Sequence, residues 1–521
     1  MNRRRYKEVE RRMPSADEAI LAIDQGTTNT KAVLVGAEGT VLAQGAAAVG
    51  VSSPKPGYVE QDAYRIWASV GEAVAACLRM APSIAIAAIA LSTQRESVVG
   101  WRGDTGMPVG PVIGWQDRRT AKWCNSVFGE SDGDLVQGLT GLRIDPMFSA
   151  PKMRWLVDHV PAEVSLADLR LGTVDSWLIW QLTGGAELLC EAGNASRTLL
   201  FDIATLRWDT DLLQLFGVPP TTLPTAVASD YGFGVTHGFP PVPDGTPIVA
   251  VLADSHAALF GHGCTEVGMA KATYGTGSSV MAPVSERTTD AASVPTTLAW
   301  VTDGSPAYAM EGNILSSGAA LSWAADLLTG GSVAELVSLA ATVPDSGGVT
   351  MVPAFAGLGA PHWDRSAQAL ISGLREASDR RHVARAAVDA VSHQICDILE
   401  VIEARSQPLS LLRADGGATV SELVMQTQAD LLGRDVQVAK VAEVSALGAA
   451  RLAWQSLGAG HLWRTTGDPH VYSPALDPAE RGRRRRRWAE AVRQARIAQN
   501  TDLDDRHQEE EIRGGPQYHN R

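Results

Sequence analysis

The chain has 521 residues, 45% hydrophobic and 20% charged, with a formal net charge of −13. That length exceeds a single core and implies two or three domains, while the acidic balance argues against general binding to nucleic acid or to an anionic membrane surface. The five cysteines, Cys77, Cys124, Cys190, Cys264 and Cys396, follow no paired or metal-ligand spacing, which fits a reduced, cytoplasmic compartment.

Residues 1–13 are charged throughout and lack the apolar core of a secretory signal, so export is not expected. No apolar run is long enough to cross a bilayer. Residues 19–23 and 32–35 read as two strands around the turn Asp24-Gln25-Gly26-Thr27-Thr28-Asn29-Thr30-Lys31. Glycine lets such a turn approach an anion, and Thr27 and Thr28 add hydroxyl and amide donors. Asp24 repels a phosphate, so its expected work is to hold Mg2+ or the water shell of that ion. A metal beside a phosphate turn points to ATP. Residues 84–91 read as a buried strand ending in Ser92-Thr93-Gln94-Arg95, the place where α/β folds put ligands. A further strand at 247–252 leads into Asp254 and a small-residue helix start.

A second glycine-threonine turn, Thr273-Tyr274-Gly275-Thr276-Gly277, lies roughly 250 residues after the first. Strands are expected again at 349–352 and 411–414. Between them the apolar residues Val383, Ala387, Val391, Ile395, Ile398 and Ile402 recur at steps of three and four. They predict one long helix over 378–405, capped by Ser378 or Asp379. Another helix is expected over 420–432, after Asp415-Gly416-Gly417. Strands alternating with helices argue for an α/β architecture, in two similar halves that meet near 255–265. From about 477 the composition changes, with Arg483 to Arg487 in a row and then an acidic, glutamine-rich end. This reads as a solvated terminal helix followed by disorder.

Several segments occur together in one order. They are Asp24 to Lys31, Ser92-Thr93-Gln94-Arg95-Glu96-Ser97, Gly114-Trp115-Gln116-Asp117-Arg118-Arg119-Thr120, Gly172-Thr173-Val174-Asp175-Ser176-Trp177-Leu178, Asn194-Ala195-Ser196-Arg197-Thr198, Asp254-Ser255-His256-Ala257-Ala258-Leu259-Phe260-Gly261 and Asp415-Gly416-Gly417. Two longer spacings join them: Met147, Ser149, Lys152, Trp155 and Leu156, then Ala369, Ile371, Gly373, Leu374, His382, Val383 and Ala386. The series resembles the FGGY family of carbohydrate kinases, and within it the glycerol kinase branch. The resemblance implies a two-domain actin-like ATPase with ribonuclease-H-like cores and the active site in the interdomain cleft. It implies a 1–18 extension, an N-terminal domain over 19–260 for acceptor and phosphate binding, a C-terminal domain over 261–476 for nucleotide, and a tail over 477–521.

Residue by residue, the resemblance makes Asp254 the general base that takes the proton of an acceptor alcohol. Asp24 positions the magnesium of MgATP through water. Arg95 and Glu96 bind the acceptor hydroxyls, and Trp115 packs against the acceptor's carbon face. Thr27, Thr28 and Asn29 face the phosphates from one turn, and Thr276 and Gly277 from the other. Gly318, Ser322, Gly417 and Ser421 fall at nucleotide positions. From the residues alone, Asp254 also reads as a helix cap, Arg95 and Glu96 as a surface ion pair, Lys31 as structural, and Trp155 and Trp177 as core. Asp117, Arg118 and Arg119 read as an ion-paired loop that holds Trp115, and His256 and His262 lack a ligand set.

Three acceptor positions depart from the glycerol kinase pattern: Met147 replaces a tyrosine, Ser255 a glutamine and Ser279 an aromatic residue. The pocket is therefore expected to be larger and differently hydrogen-bonded. Ser322 and Ser421 likewise replace larger amides near the nucleotide. The expected reaction is ATP-dependent phosphorylation of a small polyol, glycerol first, with a C4–C5 polyol or ketose as the alternative acceptor. A non-catalytic actin-like nucleotide switch remains the reading from another class. Homodimers or homotetramers follow from the resemblance alone.

Overall fold

The computed structural model describes residues 18–288, 293–441, 443–464 and 469–497. These residues form two compact units that interleave along the chain. The first takes the described residues up to 267, those between 282 and 310 and those between 440 and 464; the second takes 268–281, 311–439 and 469–497.

The centre of the first unit is a five-stranded sheet in the order Ile248–Ala253, Ala85–Thr93, Glu18–Gln25, Asn29–Val35, Val41–Ala48. Its first three members run parallel, and the last three form an antiparallel meander. The central strands are apolar on both faces, as a sheet covered on both sides requires. Helix Ala63–Met80 packs on this sheet through Ile66, Val70, Val74 and Cys77, which recur along one stripe. Asp62 caps that helix by accepting the Tyr64 amide. A four-stranded sheet, ordered Glu60–Gln61, Val112–Ile113, Val98–Arg102, Leu169–Thr173, stands beside the first. It carries the loops that hold Glu96 and Trp115. Trp177 is fully buried, with its ring 5.5 Å from that of Trp101. Trp155 is only half-buried, stacked on His159 and under the Arg119 guanidinium.

In the second unit, Met269–Tyr274 pairs antiparallel with Ser278–Val284 and parallel with Leu411–Asp415. Val436–Val438 and His470–Tyr472 extend that sheet. The expected long helix runs over Arg380–Arg405 with Asp379 as its cap. The expected helix over 420–432 begins later, at Glu422, because Gly417–Val420 tightens into a 3-10 turn and Ser421 takes the cap position. The terminal helix spans Pro478–Ile497.

Its arginine run is not merely solvated. Arg485 turns inward to Asp397 at 2.6 Å and Glu400 at 2.9 Å, and Trp488 donates to Asp397 at 2.8 Å. Burial and the Arg485 charge hold His393, beneath them, down at about 3. Helix periodicity puts Arg484, Arg485 and Trp488 on the face turned to the unit, which a run read residue by residue does not reveal. The disorder expected beyond this helix lies outside the described residues, as does most of the 1–18 extension. No helix among the described residues is long and apolar enough to cross a membrane.

Candidate active site

Three neighbouring parallel strands bring the expected acidic residues to one edge. Asp24 and Leu252 both lie opposite Ser92 in register, so Asp24, Arg95 and Asp254 emerge together at the carboxyl ends of their strands. The Ser92 hydroxyl donates to Asp24 Oδ1 at 2.7 Å. Burial raises the Asp24 carboxyl to about 6; the Ser92 hydrogen bond opposes that rise and the nearby charge of Asp254 adds to it. Lys31 faces Glu443 at 3.7 Å, in keeping with its structural reading. Thr27 is half-buried, whereas Thr28 and Asn29 at the tip of the turn are exposed.

Arg95 and Glu96 are buried, so the surface-pair reading is overturned. Arg95 Nε stands 3.3 Å from Asp254 Oδ1 and 4.0 Å from Glu96 Oε1. Glu96 adopts a φ of 59°, in the left-handed region that non-glycine residues rarely occupy. Such strain persists only where the surroundings over-determine it. The Ser149 hydroxyl donates to the Glu96 carbonyl at 3.1 Å, and Arg197 Nε donates to Glu96 Oε1 at 2.7 Å.

The cap reading of Asp254 also changes. Ala253 occupies the N-cap position, and Asp254 opens the helix Asp254–Gly261, accepting the amide of half-buried Ser255 at 2.6 Å.

Trp115 is 37% exposed, and its indole donates to Thr27 Oγ1 at 2.9 Å. Its backbone amide donates to Ser97 Oγ. Fully buried Asp117 accepts from Arg119 Nη2 at 2.8 Å and from the Val59 amide, while Arg119 also reaches Glu60. This is the ion-paired loop expected behind Trp115; Arg118 joins it through Asp145 at 3.3 Å.

Met147 is half-buried, and its carbonyl accepts from Lys152 Nζ at 2.6 Å. The same ammonium donates to the carbonyl of Gly114 at 3.2 Å. Burial pulls Lys152 down to about 7, against the attraction of Glu96, Asp117 and Asp145. Lys152 and Arg197 both fall inside the ordered motifs, which assign neither a role. The available signal was a long cationic side chain placed among residues bound for the core.

In the second unit, the turn at Gly275–Gly277 closes with Gly275 N donating to Gly277 O at 2.9 Å. The start of helix Gly318–Thr329 braces it: Gly318 N donates to Gly275 O and Ala319 N to Thr276 O, both at 3.0 Å. A Cβ on Gly318 would stand 2.6 Å from Gly275 O, and one on Gly277 2.4 Å from Ile314 O. Only glycine allows these approaches. Nearby, Leu321, Val333, Val337, Gly417, Val420 and Ser421 line a largely apolar cavity of about 850 Å³.

Ser421 Oγ accepts the Val424 amide at 3.3 Å, and Ser322 is exposed one turn into its helix. Ser279 lies 3.5 Å from both Lys271 Nζ and Glu311 Oε1, two buried charges, so its position is polar where an aromatic side chain would be apolar.

A glycine-braced turn beside an apolar cavity fits a nucleotide. For the metal, Asp24 supplies a carboxylate beside the first turn. Among the described residues no group of three or more His, Cys, Asp or Glu is arranged to hold an ion. Asp24 would hold such an ion only together with ligands from outside the chain, such as water.

Comparison with known proteins identifies the family and the fold. The N-terminal domain model of the FGGY family of carbohydrate kinases matches residues 19–261, and its C-terminal domain model matches 270–457. An apulose kinase of Pectobacterium atrosepticum is 44% identical over 84% of this chain and 90% of its own length. A glycerol kinase of Alkalilimnicola ehrlichii is 42% identical over 92% of this chain and 98% of its own length. The crystal structure of Plasmodium falciparum glycerol kinase with ADP superposes with a TM-score of 0.85 at 28% identity, covering 92% of this chain and 98% of that one. A ligand-bound xylulose kinase from Lactobacillus acidophilus, at 22% identity and a TM-score of 0.80 over 93% of this chain and 98% of its own, shares the fold.

Proposed function

Because the chain belongs to the FGGY family of carbohydrate kinases, we propose that it phosphorylates a hydroxyl of a small polyol or sugar, with Asp254 as the general base. Its fold is the mixed α/β, two-domain actin-like ATPase fold that the sequence led one to expect. The observation that carries the reading is the meeting of Asp24, Arg95 and Asp254 at three adjacent strand ends, with Arg95 3.3 Å from Asp254.

ATP, when bound, supplies the phosphoryl group and its leaving group. The remaining work falls to side chains of this chain. Arg95 donates to an acceptor hydroxyl and Glu96 accepts from one, which fixes the acceptor's register. Trp115, held by Thr27 and Ser97, presents its ring to the carbon skeleton. Asp254 accepts the proton of the attacking hydroxyl as the loose transition state forms. Thr27, Thr28, Asn29, Thr276 and Gly277 are assigned to the phosphates. Gly318, Ser322, Gly417 and Ser421 are assigned to the nucleoside, and Asp24 to Mg2+ through water. The 19–260 segment is assigned to acceptor and phosphates, and the 261–476 segment to nucleotide. A cytoplasmic homodimer or homotetramer is the proposed form.

Glycerol is the first acceptor proposed, from the glycerol kinase relatives. A C4–C5 polyol or ketose is the second reading, favoured by Met147, Ser255 and Ser279 and by the apulose kinase relative. The deciding experiment is ADP release with MgATP across glycerol, erythritol, threitol, the pentitols and common ketoses, with a no-acceptor control. Preference for glycerol supports the first reading, and preference for a longer acceptor supports the second. Acceptor-independent release, or none, sinks both and leaves the nucleotide switch.

A further inference from the structure

Arg197 has no part in the roles assigned above, yet its guanidinium is held against the Glu96 carboxylate. It is 1% exposed and donates from Nε to Glu96 Oε1 at 2.7 Å. Arg95, the other guanidinium beside Glu96, stands 4.0 Å away and is nearer to Asp254. The plane of Arg197 lies over the Phe148 ring at 5.2 Å, next to Met147, and Ser149 holds the Glu96 carbonyl from the same segment.

The backbone that delivers Arg197 is itself fixed. Residues Ala192–Ser196 form one short helix, and Arg197 is its C-cap. At the other end, the Glu191 carboxylate accepts the amides of Gly193 and Asn194 at 2.7 and 2.8 Å and the Ser229 hydroxyl at 2.6 Å. Glu96 therefore sits in a strained backbone conformation, with one carboxylate oxygen committed to a rigidly carried guanidinium.

We propose that Arg197 is a positioning residue for the acceptor site, holding the Glu96 carboxylate so that its second oxygen meets an acceptor hydroxyl. This rests on the reading of Glu96 as an acceptor contact. The physical case is that a charge-assisted hydrogen bond from a planar, buried guanidinium fixes both distance and orientation. A lysine in its place keeps the charge but not the fork. Without Arg197, Glu96 can leave its left-handed backbone conformation, and acceptor binding has to restore it.

The test uses the full chain and four variants: Glu96→Gln, Arg197→Gln, Arg197→Lys and the Glu96→Gln/Arg197→Gln pair. Steady-state kinetics is read with glycerol and with the best acceptor of the panel, and MgADP affinity is read by calorimetry. Arg197→Gln is expected to raise acceptor KM about 10- to 100-fold, the weight of a charge-assisted hydrogen bond, with MgADP affinity unchanged. Arg197→Lys should fall between that variant and the parent. The double variant should be no worse than the poorer single one, because both changes break the same contact.

Acceptor KM within twofold of the parent in Arg197→Gln, or single effects that multiply in the double variant, would overturn the proposal. So would joint loss of MgADP and acceptor binding in both Arg197 variants, which marks a structural role. An unchanged acceptor KM in Glu96→Gln is a different result, since it removes the acceptor reading of Glu96 itself.

Discussion

In the first unit, Arg95, Glu96, Arg197 and Asp254 crowd four ionisable side chains around one group of strand ends. In the second, the turn at Gly275–Gly277 and the cavity beside Gly417 offer backbone amides, glycine surfaces and apolar walls. On the proposed reading the first arrangement would discriminate between acceptors, because a buried charge left without its intended partner costs far more than a mispacked methyl group. The second tolerates side-chain change but not backbone change. Substitutions should therefore act through chemistry in the first unit and through added volume in the second.

The largest effect tests the first half of that contrast. Asp254→Asn should lower kcat by about a thousandfold, the weight of general-base catalysis, while calorimetry shows MgATP affinity unchanged. Loss of nucleotide affinity along with turnover would erase the distinction between the two clusters.

Asp24 tests how far the first cluster gives up stability for function. Its carboxyl, raised to about 6, lies above the ordinary aspartate value, so the folded chain holds that proton more tightly than the unfolded one. The stability this contributes is present below the unfolded value and is lost as pH rises through about 6. At neutral pH the ionised carboxylate is therefore a cost. Asp24→Asn should raise the thermal midpoint at pH 7.5 and abolish MgATP-dependent turnover. A midpoint lowered at pH 7.5 contradicts this account.

Gly318→Ala tests the second half. The new Cβ would meet Gly275 O at 2.6 Å, and the displaced turn should weaken MgADP binding about tenfold or more, the cost of forced backbone strain. Acceptor KM should stay within about twofold.

The smallest effect belongs to Ser421, a helix cap. Ser421→Ala should cost about 1 kcal/mol in denaturant unfolding and weaken MgADP binding only slightly, because the hydroxyl assigned to the nucleoside is already engaged by the Val424 amide. Unchanged MgADP affinity would leave Ser421 a helix cap alone and remove it from the nucleotide positions.

Much of the architecture was legible because its signals are local. The apolar stretch at 84–91 and the run near 247–252 emerged as neighbouring strands, and the three-and-four spacing became the helix Arg380–Arg405. The arginine run was misread because Arg485 finds Asp397 and Glu400 roughly 85 residues away. Helix phase says which way a residue faces, but not what stands opposite. A surface pair stayed open as an alternative for Arg95 and Glu96 for the same reason: adjacency in sequence says nothing about the loops that cover them.

By itself, the sequence determined where strands lie, where glycine tightens a turn, and which ordered motifs mark a carbohydrate kinase, because each depends on residues close together along the chain. Only the tertiary structure decided that Asp24, Arg95 and Asp254 meet, that Arg197 grips Glu96, and that Lys152 ties the Gly114 and Met147 carbonyls. Those pairings are set by strand register and by burial. Both arise from packing segments up to about 230 residues apart, and no local pattern records them.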